Sequence, residues 1–329
     1  MRFLISGLGS IGRRHLQNLL TLGERDIVFH RSGKSTLPDD ELPDFPVESD
    51  IDAALERWNP DAVVVSNPTS MHLDVAIPAA RRGCHLLLEK PITSELDRVN
   101  ELKSALAIGG GEALVGYQFR FHPGLIKVKE LLEDEAIGKP IYVHAHWGEF
   151  LPDWHPWEDY RKSYSAREDL GGGVLLTLSH PFDYLSWFFG SVQEVSASVK
   201  KLEELGISSD SLADVRLTYK DGILGHVHLN YIQSPPHHQL SIVGNEGLIG
   251  WDNRTGIVQI TRKGEERQEE FLQVSSFERN DMFLSEIEHF IRIIRGEEKP
   301  VCTLADGVES LAIALAAHQS ARERRSITL

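Results

Sequence analysis

The feature that most restricts what this chain can fold into lies at its start. The apolar run Arg2-Phe3-Leu4-Ile5-Ser6 leads directly into Gly7-Leu8-Gly9-Ser10-Ile11-Gly12, and a helical pattern follows. Three glycines at this spacing, after a strand and opening a helix, are the phosphate-binding turn of a dinucleotide-binding βαβ unit. Gly7 permits the tight turn, Gly9 admits a pyrophosphate close to the backbone, and Gly12 lets helix and strand pack. Gly7, Gly9, Ser10, Ile11 and Gly12 are therefore candidate cofactor contacts at the positive end of a helix.

The next hundred residues keep the same rhythm. Short apolar runs predict strands at 2–6, 27–30, 62–65, 85–88 and 113–116, and amphipathic stretches predict helices at 11–22, 50–58, 70–82 and 94–107. This alternation predicts an α/β fold, with an N-terminal Rossmann domain over 1–120 built on a doubly wound parallel sheet. After His122-Pro123 the pattern changes to a helix at 123–134, a strand at 141–149 and a helix at 173–188. Then come β runs at 192–199, 211–219, 223–231, 238–243, 247–251, 256–260 and 267–272. Strands without intervening helices predict a C-terminal α+β domain over 121–300 with an open, mostly antiparallel sheet. Helical stretches at 279–295 and 303–323 finish the chain, and the segment 301–329 is expected to pack as a helix on the first domain.

The end of the second strand reads Val28-Phe29-His30-Arg31-Ser32, without the acidic residue that usually holds the ribose hydroxyls of NAD. Arg31 can clamp a 2′-phosphate and Ser32 can donate to it, so NADP is expected in preference to NAD. A later apolar run, Leu86-Leu87-Leu88, ends abruptly in Glu89-Lys90-Pro91. Ligands of open α/β sheets bind outside the carboxyl ends of the strands, so Lys90 is well placed for chemistry.

The formal charge of -15 argues against nucleic acid or an anionic membrane as partner. Cys84 and Cys302 are far apart and match neither a disulfide framework nor a zinc spacing. A strand at the very start leaves no room for a signal peptide, and no apolar run reaches about 20 residues, so a cytoplasmic location is expected. The pairs His144 with His146 and His226 with His228 each put two rings on one face of a strand. No carboxylate or cysteine completes a site by spacing, and no metal is expected. That face is expected to be a subunit contact, giving a homodimer or homotetramer through the open sheet.

Taken together, the sequence resembles the Gfo/Idh/MocA family of sugar and cyclitol oxidoreductases across nearly its whole length. The resemblance is carried by the glycine turn with His15, by Ser66-Asn67-Pro68-Thr69-Ser70-Met71-His72, and by Glu89-Lys90-Pro91. Gly116-Tyr117-Gln118-Phe119-Arg120-Phe121 and Gly171-Gly172-Gly173 leading to His180 complete it. It implies a substrate lying between the nicotinamide and the open sheet. It implies cofactor contacts from Asn67, Pro68, His72, Glu89, Lys90 and Gln118, and a catalytic pair of Lys90 and His180. Where the family commonly shows Asp-x-x-x-His, this chain has Thr177, with spacing to His180 one residue short; Asp183, three residues beyond His180 on a helix, is within reach of it.

Tyr117 and Arg120 are expected to line the substrate crevice, and the aromatic loop around Trp157, Tyr160 and Arg161 to contact a sugar and any anionic group on it. The expected reaction is hydride transfer between nicotinamide C4 and a hydroxyl-bearing carbon, with Lys90 polarising the hydroxyl and His180 accepting its proton. Two other readings stay open: a non-catalytic cofactor-binding regulatory protein, and a reductase of C=C or imine bonds on the same scaffold.

Overall fold

The computed structural model describes residues 1–33, 42–156, 158–265, 268–272 and 276–329. Strand β1 (Arg2–Ser6) is buried along nearly its whole length, and the glycine turn carries it into α1 (Ser10–Thr21). There follow β2 (Asp26–His30), β3 (Val47–Glu48), α2 (Ile51–Trp58), β4 (Ala62–Val65), α3 (His72–Arg81), β5 (His85–Glu89), α4 (Val99–Gly109) and β6 (Ala113–Gly116). The six strands form one sheet in the order β3-β2-β1-β4-β5-β6, parallel throughout. Complete burial of Ala62–Val65 is what a parallel sheet requires when helices cover both of its faces. The two-residue β3 is too short to leave a periodic signal, and the sequence reading did not include it.

The rest of the chain forms α5 (Pro123–Glu133), β7 (Pro140–Phe150), α6 (Val174–Thr177), α7 (His180–Phe189), β8 (Val192–Lys200), β9 (Leu212–Tyr219), β10 (Leu224–Asn230), β11 (Ile232–Gly244), β12 (Gly247–Asp252), β13 (Ile257–Arg262), β14 (Glu269–Leu272), α8 (Arg279–Ile294), α9 (Leu304–Glu323) and β15 (Ile327–Thr328). Nine of these strands make a second sheet, ordered β14-β13-β12-β11-β7-β10-β9-β8-β15. Only β7 with β10 is parallel; the other pairs are antiparallel. Alternation gives the sheet a buried face, with Val143, Ala145, Trp147, Val227, Leu229, Ile242 and Trp251, and an opposite face bearing the histidine pairs.

The chain divides into two compact units: Met1–Gln118 with Asp169–Gly171 and Arg279–Val308, and Phe119–Glu168 with Gly172–Glu278 and Glu309–Leu329. This division departs from the expected bounds in two places. Helix α8, placed by the sequence reading within 121–300 of the second domain, belongs to the first unit, where it packs on α1. The Asn280 amide donates to Asn18 Oδ1 at 2.9 Å and the Arg14 guanidinium lies 4.7 Å over the Phe283 ring. An amphipathic pattern shows that a helix has an apolar face but not which core receives it. The last helix begins in the first unit, where Gly307 comes against Ile92 and Val115, and the residues after it add β15 to the second sheet alongside β8.

The single helix expected at 173–188 is two, broken at Leu178 and restarted at His180-Pro181, proline being suited to a first turn. Strand β11 begins at Ile232 rather than 238, because a register irregularity between Ile232 and His237 accommodates Pro235 and Pro236. Among the described residues, no helix is long and apolar enough to cross a membrane.

Candidate functional site

The geometry of the glycine turn separates its three glycines by role. Gly7 sits at φ +89°, where a Cβ would lie 2.5 Å from the Asn67 nitrogen, and a Cβ on Gly12 would lie 2.0 Å from the Gly7 carbonyl oxygen. Both are demanded by the fold itself. Gly9 is different: a Cβ there would meet nothing within 4 Å. It is the N-cap of α1, with no side-chain cap and no acidic residue in the first turn, so the free N–H groups of the helix start suit an anion. Ser10 is exposed and Ile11 half-buried at that helix start.

The neighbouring loops are tied to this turn. Gly7 N–H donates to the His30 carbonyl at 3.1 Å, and the Ser66 hydroxyl lies 2.9 Å from the Gly7 carbonyl. Arg31, half-buried, and Ser32, exposed, follow β2 directly, so no carboxylate stands at the first two positions after it. These residues fit a dinucleotide phosphate. Asn67 and Pro68 are half-buried, and the Asn67 amide donates to the Met71 carbonyl. His72, expected to contact the cofactor, is buried instead, and its Nε2 bonds the Asn67 carbonyl at 2.9 Å. It shapes the loop, and burial pushes its pKa down.

Lys90 is half-buried just past the end of β5. Its partner in the motif, Glu89, expected at the cofactor, turns into the core of the first unit. Its Oε1 meets His15 Nε2 at 2.7 Å and its Oε2 accepts the Lys90 N–H at 3.2 Å. Glu286 of α8 lies beside it, fully buried, with neither carboxylate oxygen hydrogen-bonded. One ligating atom each of His15, Glu89 and Glu286 lies within 4.8 Å of the others. Burial first, and then the charge of Glu89, push the Glu286 carboxyl well above its ordinary range. Sequence reasoning missed Glu286 because nothing in a helix pattern marks a buried acid. Tyr117 and Gln118, just past β6, are both buried.

In the second unit His180 opens α7 and is buried, with Phe119 edge-on at 4.9 Å and Trp147 at 5.4 Å. Trp147 in turn stacks on His238 at 4.3 Å, and burial pushes His238 well below its ordinary pKa, keeping it neutral. Trp147 and His238 were not singled out from sequence as neighbours of His180; strand register alone pairs them. Thr177 stands on α6, not on the helix of His180, and is buried; burial raises the nearby Tyr231 phenol well above its ordinary value.

Asp183, expected to support His180, receives the Arg120 guanidinium: Nε donates to both carboxylate oxygens at 3.2 and 3.1 Å, and Nη2 to Oδ1 at 2.7 Å. Arg120, expected toward substrate, thus forms a buried ion pair within the second unit. The Tyr160 hydroxyl donates to the Leu205 carbonyl, and the exposed Arg161 bonds Asp159 at 2.8 Å; Trp157 lies outside the described residues. Gly173, at φ +112°, makes room for Asp210, which accepts the Leu175 N–H at 3.1 Å and so caps α6.

Comparison with known proteins gives this geometry its context. Residues 1–117 match the family model described as oxidoreductase family, NAD-binding Rossmann fold, and residues 129–329 match the oxidoreductase family C-terminal alpha/beta domain. The chain is 29% identical to a myo-inositol 2-dehydrogenase of Thermotoga maritima, covering 100% of this chain and 98% of that protein. It is 23% identical to a D-xylose 1-dehydrogenase (NADP(+)) of Haloferax volcanii, with 100% of both chains covered. Among solved structures, a levoglucosan dehydrogenase in complex with NADH superposes with a TM-score of 0.86 at 16% identity, over 100% of this chain and 98% of that one. At that identity the likeness speaks for the fold.

Proposed function

The chain belongs to the Gfo/Idh/MocA family of NAD(P)-binding oxidoreductases, and from that premise we propose that it is a dehydrogenase of a hydroxyl group on a sugar or cyclitol. The observation that carries the reading is Gly9, open where the fold does not need a glycine, at the uncapped start of α1. The dehydrogenase names of relatives that span the whole chain support the substrate class.

A bound nicotinamide supplies the hydride chemistry; the chain supplies binding and the proton path. The start of α1 holds the pyrophosphate, and Arg31 with Ser32 holds a 2′-phosphate, so NADP is favoured over NAD. Asn67, Pro68 and Gln118 complete the cofactor contacts. Lys90 orients the reacting hydroxyl and lowers its pKa, and His180 takes the proton. Phe119 and Trp147 hold that imidazole in one orientation. Tyr160 and Arg161 meet the sugar and any anionic group on it. The protein works in the cytoplasm as a homo-oligomer joined through its open sheet.

The experiment is absorbance at 340 nm with purified protein, NADP or NAD, and a panel of polyols, cyclitols and sugars, repeated with Lys90→Met. Cofactor-dependent turnover that falls by about 10²-fold or more in the variant, with cofactor affinity kept, is expected. Near-normal turnover in Lys90→Met removes the lysine from the mechanism. For the cofactor, tighter NADPH than NADH binding that reverses in Arg31→Ala is expected, and tighter NADH binding by the wild type overturns the preference.

A further inference from the structure

Helix α6 is four residues long, and a single turn of helix does not hold itself in place, because its nucleus is unfavourable. What fixes it lies outside it. The Asp210 carbonyl accepts the Val174 N–H at 3.0 Å and the Asp210 carboxylate accepts that of Leu175 at 3.1 Å, so two N–H groups of the helix start end on one residue.

Asp210 is itself anchored to the second sheet. The residue after it, Ser211, gives its N–H to the Lys200 carbonyl at 2.9 Å and takes that of Tyr231 at 2.9 Å. On the other side, the Ser208 N–H donates to the Ala166 carbonyl at 3.1 Å and the Ser209 hydroxyl to the Ser165 carbonyl at 3.1 Å. The same short stretch holds the glycines, with Gly172 N–H on the Arg167 carbonyl at 2.9 Å and Gly173 N–H on that of Ser165 at 3.0 Å. From α9, His318 Nε2 stands 3.6 Å from Asp210 Oδ1. Gly173 completes the seat, since a Cβ there would lie 2.1 Å from that oxygen.

The pinned segment leads straight to His180. The N–H groups of Thr177 and Leu178 close on the carbonyls of Gly173 and Val174 at 2.8 and 3.0 Å, and α7 then opens with His180 itself. Every residue from Val174 to His180 is buried. A displacement at the start of α6 is therefore passed along close-packed side chains.

We propose that Asp210 is a positioning residue for His180: by tying the start of α6 to the sheet it sets where the imidazole stands against Phe119 and Trp147. Its consequence for turnover rests on the reading of His180 as the proton acceptor. A reacting group displaced by about 1 Å can cost on the order of 10²-fold in rate.

The first test needs no substrate. Full-length protein labelled with carbon-13 at histidine Cε1 gives one NMR signal per imidazole. That of His180, assigned by its loss in His180→Gln, reports small displacements because two aromatic rings flank it. It is expected to move or broaden in Asp210→Ala, to move less in His318→Ala, and to return to the wild-type position in Asp210→Asn, whose amide oxygen can still accept the Leu175 N–H. The signal of His85, in the first unit, should stay in place in all three. Both Asp210 variants keep the backbone carbonyl that bonds Val174, and circular dichroism should show an intact fold. An unmoved His180 signal in Asp210→Ala overturns the proposal, as does a shift that Asp210→Asn fails to reverse.

The second test is kinetic. Asp210→Ala should lower kcat about tenfold or more with cofactor Kd unchanged, Asp210→Asn should restore it, and Asp210→Ala should add little to the loss in His180→Gln, since residues acting through one group are not additive. Losses that multiply overturn action through His180. Normal turnover in His180→Gln alone refutes the histidine as base and leaves its positioning to be decided by the NMR signal.

Discussion

At the scale of single residues, Glu286 makes the sharpest claim on the physics of the fold. Two carboxylates and an imidazole share one buried pocket, and the only hydrogen bond among them joins His15 to Glu89. A fully ionised pair would leave two desolvated negative charges side by side, so Glu286 keeps its proton at neutral pH. The sign follows from the raised folded value. Above the unfolded carboxyl pKa the unfolded chain has lost this proton and the folded chain still holds it, so stability falls as pH rises toward the folded value. The slope is about 1.4 kcal/mol per pH unit for one proton. Glutamine mimics the protonated acid and removes that slope. Glu286→Gln is therefore expected to match the wild type near pH 5 and to exceed it as pH rises above that in urea unfolding. A loss of stability that is the same at every pH would mean that Glu286 is ionised and paired.

At the scale of elements, the glycine turn lets fold and binding be separated by two substitutions. Gly12→Ala drives a methyl group to 2.0 Å from the Gly7 carbonyl and must part α1 from β1, at a cost of about 1–3 kcal/mol of stability. Gly9→Ala meets only open space in the protein and should leave the melting temperature nearly unchanged. It should nonetheless weaken NAD(P)H binding about tenfold or more, roughly 1.4 kcal/mol, by fluorescence titration. Unchanged cofactor affinity in Gly9→Ala would take the pyrophosphate away from this turn.

The same turn explains why so much of the first sheet was legible in the sequence. Its strands are continuous apolar runs punctuated by glycine and proline, and local pattern suffices for them. Within the candidate site, sequence points directly only where the signal is local too. Lys90 stands out at a strand end, and Gly7 and Gly12 are recognisable by spacing. The hydrogen bonds of Glu89, His72, Arg120 and Asp183 were not legible, because a polar residue beside a crevice and a polar residue bonded beneath it have the same local sequence. Only the partners His15, Asn67 and one another, brought by tertiary packing, decide between them.

At the scale of the whole molecule, the open sheet has a second property beside its histidines. Leu224, Tyr142, Val243 and Leu248 stand in register across β10, β7, β11 and β12, and are 54%, 39%, 37% and 40% exposed. One exposed apolar residue needs no explanation, but a continuous row across four strands does. Nine strands at about 4.8 Å spacing give a face roughly 38 Å across, ample for the ~800 Å² per partner that a stable interface buries. A second copy laid on this face covers the row with an identical row, the self-complementary arrangement of a twofold dimer. Tyr142→Lys puts like charges at the centre of both rows while touching no core residue. It is expected to convert the oligomer to monomer in light scattering after gel filtration, with the melting temperature of the chain lowered only by the lost association. Equal masses for variant and wild type would mean that another surface joins the subunits or that none does, and the row would then call for a different partner.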